Sequence, residues 1–229
     1  MTKLESTLIN YINEANEKWH MFKKGERLVI GISGGKDSLA CLNLLSHFDL
    51  ELLAVNVDFF DKYDPALEEY CANHVDYKHI RSSSLGNTEN KKNLCFSCSK
   101  QRKRILLEQA EAFGASKVVL GHHKNDAVET LILNQIYSRE ISSMSPKQAL
   151  FNGEYHIIRP MYLISEPMLE TYVREQNIPS FNIKCDFEQD SKRKFIKDQL
   201  NRIQDESPGI DIIDNIFSSM FHINKNFLP

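Results

Sequence analysis

Apolar and polar positions along the chain switch repeatedly between a strand period and a helix period. Arg27 to Ile32 is an apolar run of strand length. The next apolar stretch, Leu39 to Phe48, repeats Leu39, Leu42, Leu45 and Phe48 on one face of a helix. Ahead of both, Thr2–Phe22 carries Leu8, Ile9, Ile12 and Trp19 at helical positions, and Lys23-Lys24-Gly25 is expected to end that helix. Three further runs, Glu51–Val57, Tyr77–Ile80 and Lys117–Leu120, read as strands. Helical patterns at Pro65–His74 and Ser99–Phe113 fall between them, the second stopped by Gly114. Ile157-Ile158-Arg159-Pro160 adds one more strand, ended by its proline. The alternation predicts an α/β fold: an open, mainly parallel sheet with helices on both faces.

Punctuation changes after Tyr137. Ser138–Pro146 reads as a loop, and Ser165–Gln176 as a helix with Ser165 at its N-cap and Glu166 and Pro167 in the first turn. Two more helices, Lys192–Ile203 and Ile212–Phe221, are separated by Ser207-Pro208-Gly209. Ser82–Lys92 is polar and reads as a loop. There is no internal repeat, no low-complexity tract and no long Pro/Gly/Ser-rich linker.

The candidate chemistry begins where the first strand meets the next helix. The turn there is Ser33-Gly34-Gly35-Lys36-Asp37-Ser38. A glycine pair lets backbone N–H groups approach a phosphate closely, and the helix N-terminus behind it adds partial positive charge. Lys36 supplies a full charge; Ser33 and Ser38 supply hydroxyls. The spacing is not that of the Gly-x-x-x-x-Gly-Lys-Ser/Thr loop. It resembles the PP-loop of the ATP pyrophosphatase superfamily, Ser-Gly-Gly-x-Asp-Ser. That resemblance implies a loop that grips the departing pyrophosphate of ATP while a substrate is adenylated. The bland alternative is a glycine turn that only reverses the chain.

Composition narrows the setting. A chain of 229 residues with 41% hydrophobic content can build one substantial core. The expected division is a single domain over 1–229: an N-terminal helix (1–24), a nucleotide-binding core (25–160) and a helical extension (161–229). No apolar run approaches a membrane span, and Met1–Phe22 lacks the apolar core of a signal peptide, so a cytoplasmic protein is expected. A net charge of −3 does not advertise nucleic-acid binding. Two local clusters do carry positive charge: Lys100, Arg102, Lys103 and Arg104, then Lys192, Arg193, Lys194 and Lys197. Each is either a solvated helix face or a phosphate-backbone footprint.

The five cysteines are odd in number and unevenly placed, unlike a disulfide scaffold. Cys95-Phe96-Ser97-Cys98 sets two thiols within reach of one metal or of each other, and Cys185 stands alone in Lys184-Cys185-Asp186. Taken alone, the pair is ambiguous among zinc, redox and iron–sulfur roles. Cys41 and Cys71 lie in helical patterns and read as core packing.

Four segments occur in the order Ser33–Ser38, Cys95-x-x-Cys98, Gly121-His122-His123-x-x-Asp126 and Ile158-Arg159-Pro160. In this order the chain resembles the TtcA family of tRNA 2-thiocytidine synthetases. Met144-x-Pro146-Lys147 and the basic helix after Cys185 are similar too, so the likeness runs from about Leu4 to the C-terminus. The resemblance implies a four-iron–four-sulfur cluster on Cys95, Cys98 and Cys185, one of whose irons is left open to hold sulfide. A zinc site completed by a histidine, or a persulfide on Cys98 resolved by Cys185, would suit the same thiols. It also implies that Gly121–Asp126 faces the PP-loop. Asp126 would then serve magnesium or substrate orientation unless it is only a helix N-cap, and His122 would contact phosphate. His123 reads as structural or solvent-facing. Many relatives carry two consecutive acids where this chain has Asn125-Asp126. Asn56 and Asp58, at the end of the second strand, would lie near adenine or ribose unless they are merely a polar strand terminus.

The reaction so implied is ATP- and magnesium-dependent 2-thiolation of cytidine 32 in tRNA, with Lys36, Asp37 and Asp126 at its centre. The expected partners are tRNA and a sulfur donor, either sulfide or a cysteine desulfurase persulfide. A homodimer stays open. Competing readings are 2-thiolation of a tRNA uridine or a free base-like metabolite, a lysidine-type ligase, and a non-catalytic metal-containing RNA-binding module.

Overall fold

The computed structural model describes residues 1–82, 91–181 and 192–227, with backbone only for 91–96. Six strands, β1 (Glu26–Ile32), β2 (Leu50–Asp58), β3 (Asp76–Arg81), β4 (Lys117–Val119), β5 (Lys147–Leu150) and β6 (Tyr155–Ile158), form one sheet in the order β3-β2-β1-β4-β6-β5. All neighbours are parallel except β5 and β6. The helices are α1 (Lys3–Trp19), α2 (Lys36–Leu45), α3 (Pro65–Ala72), α4 (Lys91–Phe113), α5 (Lys124–Ser138), α6 (Glu166–Glu175), α7 (Lys192–Asp205) and α8 (Ile212–Ser219). The mainly parallel sheet with helices on both faces is the expected architecture.

Alternation along the central strands explains both faces. Leu28, Ile30 and Ile32 of β1 join Leu52 and Ala54 of β2 under α1, α2, α3 and α6. Val29, Leu53, Val55 and Val57 turn the other way, onto Ile105, Leu106 and Ala110 of α4. With apolar residues on both sides, these strands read as continuous hydrophobic runs, as a doubly covered parallel sheet requires. A third cluster joins Ala127 and Val128 of α5, Tyr162, Ile196 and Leu200 of α7, and Phe217 of α8. It seats the C-terminal helices on α5. Cys41 and Cys71 are fully buried, as packing residues should be.

Chain order reverses between β1 and β4: β2 and β3 lie on one side of β1, whereas β4, β6 and β5 lie on the other. Ligands in open α/β sheets collect beyond the strand C-termini at such a switch point. The loops there are Ser33–Gly35 after β1 and 120–123 after β4.

Several boundaries differ from those expected. α1 stops at Trp19, with His20 left-handed at φ 50°; its N–H donates to Asn16 O, and the Asn16 side chain then accepts from Phe22 N–H. The lysine–glycine stretch forms a separate turn. α4 begins at Lys91 instead of Ser99, because no glycine or proline interrupts Lys91–Cys98, so Lys91 and Lys92 are helical where a loop was expected. β5 is an unexpected antiparallel edge strand. Residues 83–90 and 182–191, the latter including Cys185, lie outside the described residues.

Candidate active site

The loop after β1 is closed by its own hydroxyls. Ser33 N–H donates to Ser38 Oγ at 3.2 Å, Ser38 Oγ donates to Gly35 O at 2.9 Å, and Gly35 N–H donates to Ser33 Oγ at 3.3 Å. Gly34 sits at φ 81°, a left-handed conformation that a side chain would strain. Gly35 is the N-cap of α2 and makes no side-chain cap bond, so the helix opens on backbone N–H groups. Lys36 and Asp37 are its first two residues, paired Nζ to Oδ1 at 3.0 Å.

The second loop closes against the first. A Cβ on Gly121 would stand 3.0 Å from both Asp37 O and Ser38 Cα. Only glycine lets the end of β4 approach the first turn of α2 this closely. The two predicted nucleotide motifs therefore meet.

Asp126, in the first turn of α5, accepts from His123 N–H at 2.9 Å through Oδ2 and from Arg193 Nη1 at 3.1 Å through Oδ1. Burial works against its ionisation, but His123, His122, the His123 amide and Arg193 together hold the carboxyl below its ordinary range. His123, not Asp126, is the N-cap of α5; Asp126 lies three residues on and reaches back to the His123 N–H as the acid of a capping box, and it stays charged. His123 is buried, with Nε2 3.5 Å from Asp126, which fits the structural reading and not the solvent-facing one.

His122 Nδ1 accepts from Arg159 Nε at 3.2 Å. Burial, opposed by Asp126 and reinforced by Arg159 and Arg193, pushes its pKa down to about 4, so the ring is neutral. Arg159 is itself buried, at 4% exposure, and donates through Nη1 to Ser145 O.

A second group of charges was not singled out as a site from sequence. Glu166 Oε1 accepts from Lys197 Nζ at 2.6 Å and Lys36 Nζ at 3.4 Å, joining α7 to the loop lysine through α6. Burial opposes the charge on Lys36, but Asp37, Glu166 and Glu170 outweigh it and raise its pKa. Glu166 N–H donates to Asn125 Oδ1 at 3.0 Å, so Asn125 supplies the α6 cap that the Ser165 side chain does not. Glu129 is buried beside Asp126, with Arg193 3.8 Å away. Burial and the Asp126 charge push its pKa up to about 7. Arg193 and Lys197 are thus ion-paired to acids of α5 and α6 while their side chains stay 40% exposed. The signal for this group was one of spacing: Asp126, Glu129 and Thr130 share one face of α5, and Arg193 and Lys197 one face of α7.

Asn56 and Asp58 are buried at the end of β2 and engaged in local bonds. Asn56 Nδ2 donates to Ile32 O at 2.9 Å, while Asp58 accepts from Phe60 N–H and Lys62 N–H at 2.8 and 2.7 Å. Both fasten the β2 terminus and its turn.

Cys95 and Cys98 stand one turn apart on α4. Cys98 is half-buried, and Arg102 Nη2 donates to its Sγ at 3.7 Å. The described residues on either side of Cys185 both reach the nucleotide loops: Phe181 N–H donates to Gly34 O at 2.9 Å, and Arg193 binds Asp126.

Residues 2–203 match the family model described as a PP-loop domain. A tRNA-cytidine(32) 2-sulfurtransferase of Polynucleobacter asymbioticus is 32% identical over 242 residues, covering 99% of this chain and 79% of that relative. This chain belongs to that PP-loop family. Among solved structures, the U34-tRNA thiolase NcsA from Methanococcus maripaludis, with its [4Fe-4S] cluster, superposes with a TM-score of 0.72 at 19% identity, over 96% of this chain and 81% of that one. An NH3-dependent NAD synthetase from Campylobacter jejuni follows with a TM-score of 0.54 at 16% identity, over 96% and 93%. At such identities these two speak for the fold alone. Membership of a PP-loop family implies that the chain binds ATP. Among the described residues no helix is long and apolar enough to cross a membrane.

Proposed function

We propose that this chain is an ATP-dependent sulfurtransferase acting on cytidine 32 of tRNA. The observation that carries the reading is the approach of Gly121 to the first turn of α2, which joins the two nucleotide motifs into one site at the switch point. Identity of 32% to a tRNA-cytidine(32) 2-sulfurtransferase over nearly the whole chain supports the substrate.

ATP lies with its phosphates on the loop from Ser33 to Ser38, against the open N–H groups of α2 and the Lys36 ammonium. The C2 oxygen of the cytidine attacks the α-phosphorus. A new P–O bond forms, the bond to the β-phosphate oxygen breaks, and pyrophosphate leaves with that electron pair. Lys36 and the helix dipole stabilise the charge that develops. Sulfide then adds at C2 and the C–O bond breaks, so AMP carries away the oxygen. Adenylation is needed because a carbonyl oxygen is otherwise a poor leaving group. The target base must be unstacked to enter, which favours a loop nucleotide.

Magnesium accompanies ATP on oxygen ligands, and the carboxylates available are Asp37 and the ionised Asp126. With asparagine at position 125 engaged in capping α6, a second acid beside Asp126 is not needed by this reading. Two cysteines one helical turn apart on α4, with Arg102 beside the second, suit an iron–sulfur group. Cys95, Cys98 and Cys185 would hold it, and when bound it supplies the sulfur. The chain acts as one nucleotide-binding unit with a helical extension.

The test is anaerobic reconstitution, iron and zinc counting, and EPR, followed by nucleoside analysis of tRNA treated with ATP and sulfide. Iron with ATP-dependent 2-thiocytidine supports the reading; stoichiometric zinc in active enzyme overturns the cluster, and tRNA binding without turnover overturns the enzyme.

A further inference from the structure

We propose that Arg159 is a positioning residue that locks His122 as a neutral hydrogen-bond donor through Nε2, aimed at an anionic oxygen of the bound nucleotide. The argument is one of donor inventory. A guanidinium has only donors. Arg159 Nε donates to His122 Nδ1 at 3.2 Å, so that nitrogen must present a lone pair and the ring proton must sit on Nε2. An imidazolium, or the opposite tautomer, would set N–H against N–H.

Arg159 has little freedom to move away. It is buried, its Nη1 donates to Ser145 O, its own N–H donates to Pro146 O at 2.9 Å, and its carbonyl accepts from Tyr162 N–H at 3.1 Å. The loop over 142–146 is in turn fixed by Ser143 Oγ on Ala127 O at 2.6 Å and by Tyr162 OH on Met144 O at 3.0 Å. The orientation is therefore set by the fold before any ligand arrives. Among the described residues, none accepts from Nε2 of His122. His122 follows Gly121, the residue pressed on Asp37 and Ser38, so the residue that carries this donor is next in sequence to the contact with the phosphate loop. A general-base role through Nδ1 is closed. Arg159 thus acts through His122.

This inference takes from the proposed function only that ATP binds at the loop; it is independent of the base that is thiolated. It is tested on the full chain with ¹⁵N-labelled histidine, using long-range proton–nitrogen spectra to read the His122 tautomer, assigned by loss of the signal in His122→Gln. Wild type should show unprotonated Nδ1 and protonated Nε2 with or without ATP; Arg159→Met should give mixed tautomers, and Arg159→Lys, which keeps a donor, should restore the wild-type pattern. In ATP-binding titrations His122→Gln, whose amide reaches the Nε2 position, should bind within a few-fold of wild type. His122→Asn, which reaches only the Nδ1 position, should lose about ten-fold or more, the scale of one hydrogen bond to a charged group. If Arg159→Met fails to fold, the wild-type tautomer and the Gln/Asn pair still decide. Protonated Nδ1 in wild type, or equal ATP affinity for His122→Gln and His122→Asn, overturns the inference. Failure to thiolate cytidine would overturn the proposed function and leave both readouts standing.

Discussion

Gly121 presses on Ser38: a β-carbon at position 121 would stand 3.0 Å from the Ser38 Cα, inside normal contact distance. The obstacle is backbone, in the first turn of α2, so it cannot swing aside as a flexible side chain would. Gly121→Ala should cost about 1–3 kcal/mol of stability by forcing the loops apart. It should also weaken ATP binding by at least about ten-fold, since a shift of an ångström at a phosphate loop misaligns several donors at once. Urea unfolding and ATP titration check both numbers; wild-type affinity in a folded variant would show that the two loops do not form one site.

Glu129 gives a pH prediction with a definite sign. Its ordinary pKa of 4.5 rises to about 7 in the folded chain through burial and the Asp126 charge. Between those values the folded state holds a proton that the unfolded chain has released. Stability therefore falls as pH rises from about 4.5 to about 7, by an amount on the order of 3 kcal/mol. Glu129→Gln should remove that slope. Urea titrations of both proteins at pH 5 and pH 8 test this, and parallel pH profiles would contradict it.

Cys41 and Cys71 should be chemically silent. Burial pushes each thiol up to about 12, so almost no thiolate exists at neutral pH. Iodoacetamide followed by peptide mass mapping should leave both unmodified in native protein and label both in urea. Native labelling at Cys41 would mean that the α2 layer opens readily.

The cysteine trio should separate from nucleotide binding. Cys98→Ala and Cys185→Ala, reconstituted alongside wild type, should bind ATP within two- to three-fold of it and lose thiolation by about a hundred-fold or more. Retained thiolation would favour a ligase or other chemistry that does not need these thiols.

Much of this architecture was legible in the sequence. β1 and β2 carry apolar residues on both faces, which only a doubly covered strand can do, and the loop motif follows β1 directly. Short, weakly patterned segments were not legible. β5 is four residues of mixed polarity, Lys147-Gln148-Ala149-Leu150, defined by pairing with β6 alone. The early start of α4 is hidden because Leu94, Cys95 and Phe96 are consecutive and mark no single helical face, while nothing in Lys91–Cys98 breaks a helix. At the site, the Ser33–Ser38 and Gly121–Asp126 motifs could be read, because their spacing is local. The contacts of Arg159 with His122, of Glu166 with Lys36 and Lys197, and of Arg193 with Asp126 join residues 31 to 130 positions apart. No local pattern encodes those pairs. The basic run at 192–197 shows the same limit: its charge is visible in sequence, whereas the acids that pair with Arg193 and Lys197 are not.

The decisive measurement is the nucleoside composition of tRNA incubated anaerobically with the reconstituted chain, ATP and sulfide. 2-Thiocytidine should appear at position 32, only with ATP and with release of one pyrophosphate per base modified. Thiouridine in its place, or 2-thiocytidine formed without ATP, would contradict the account.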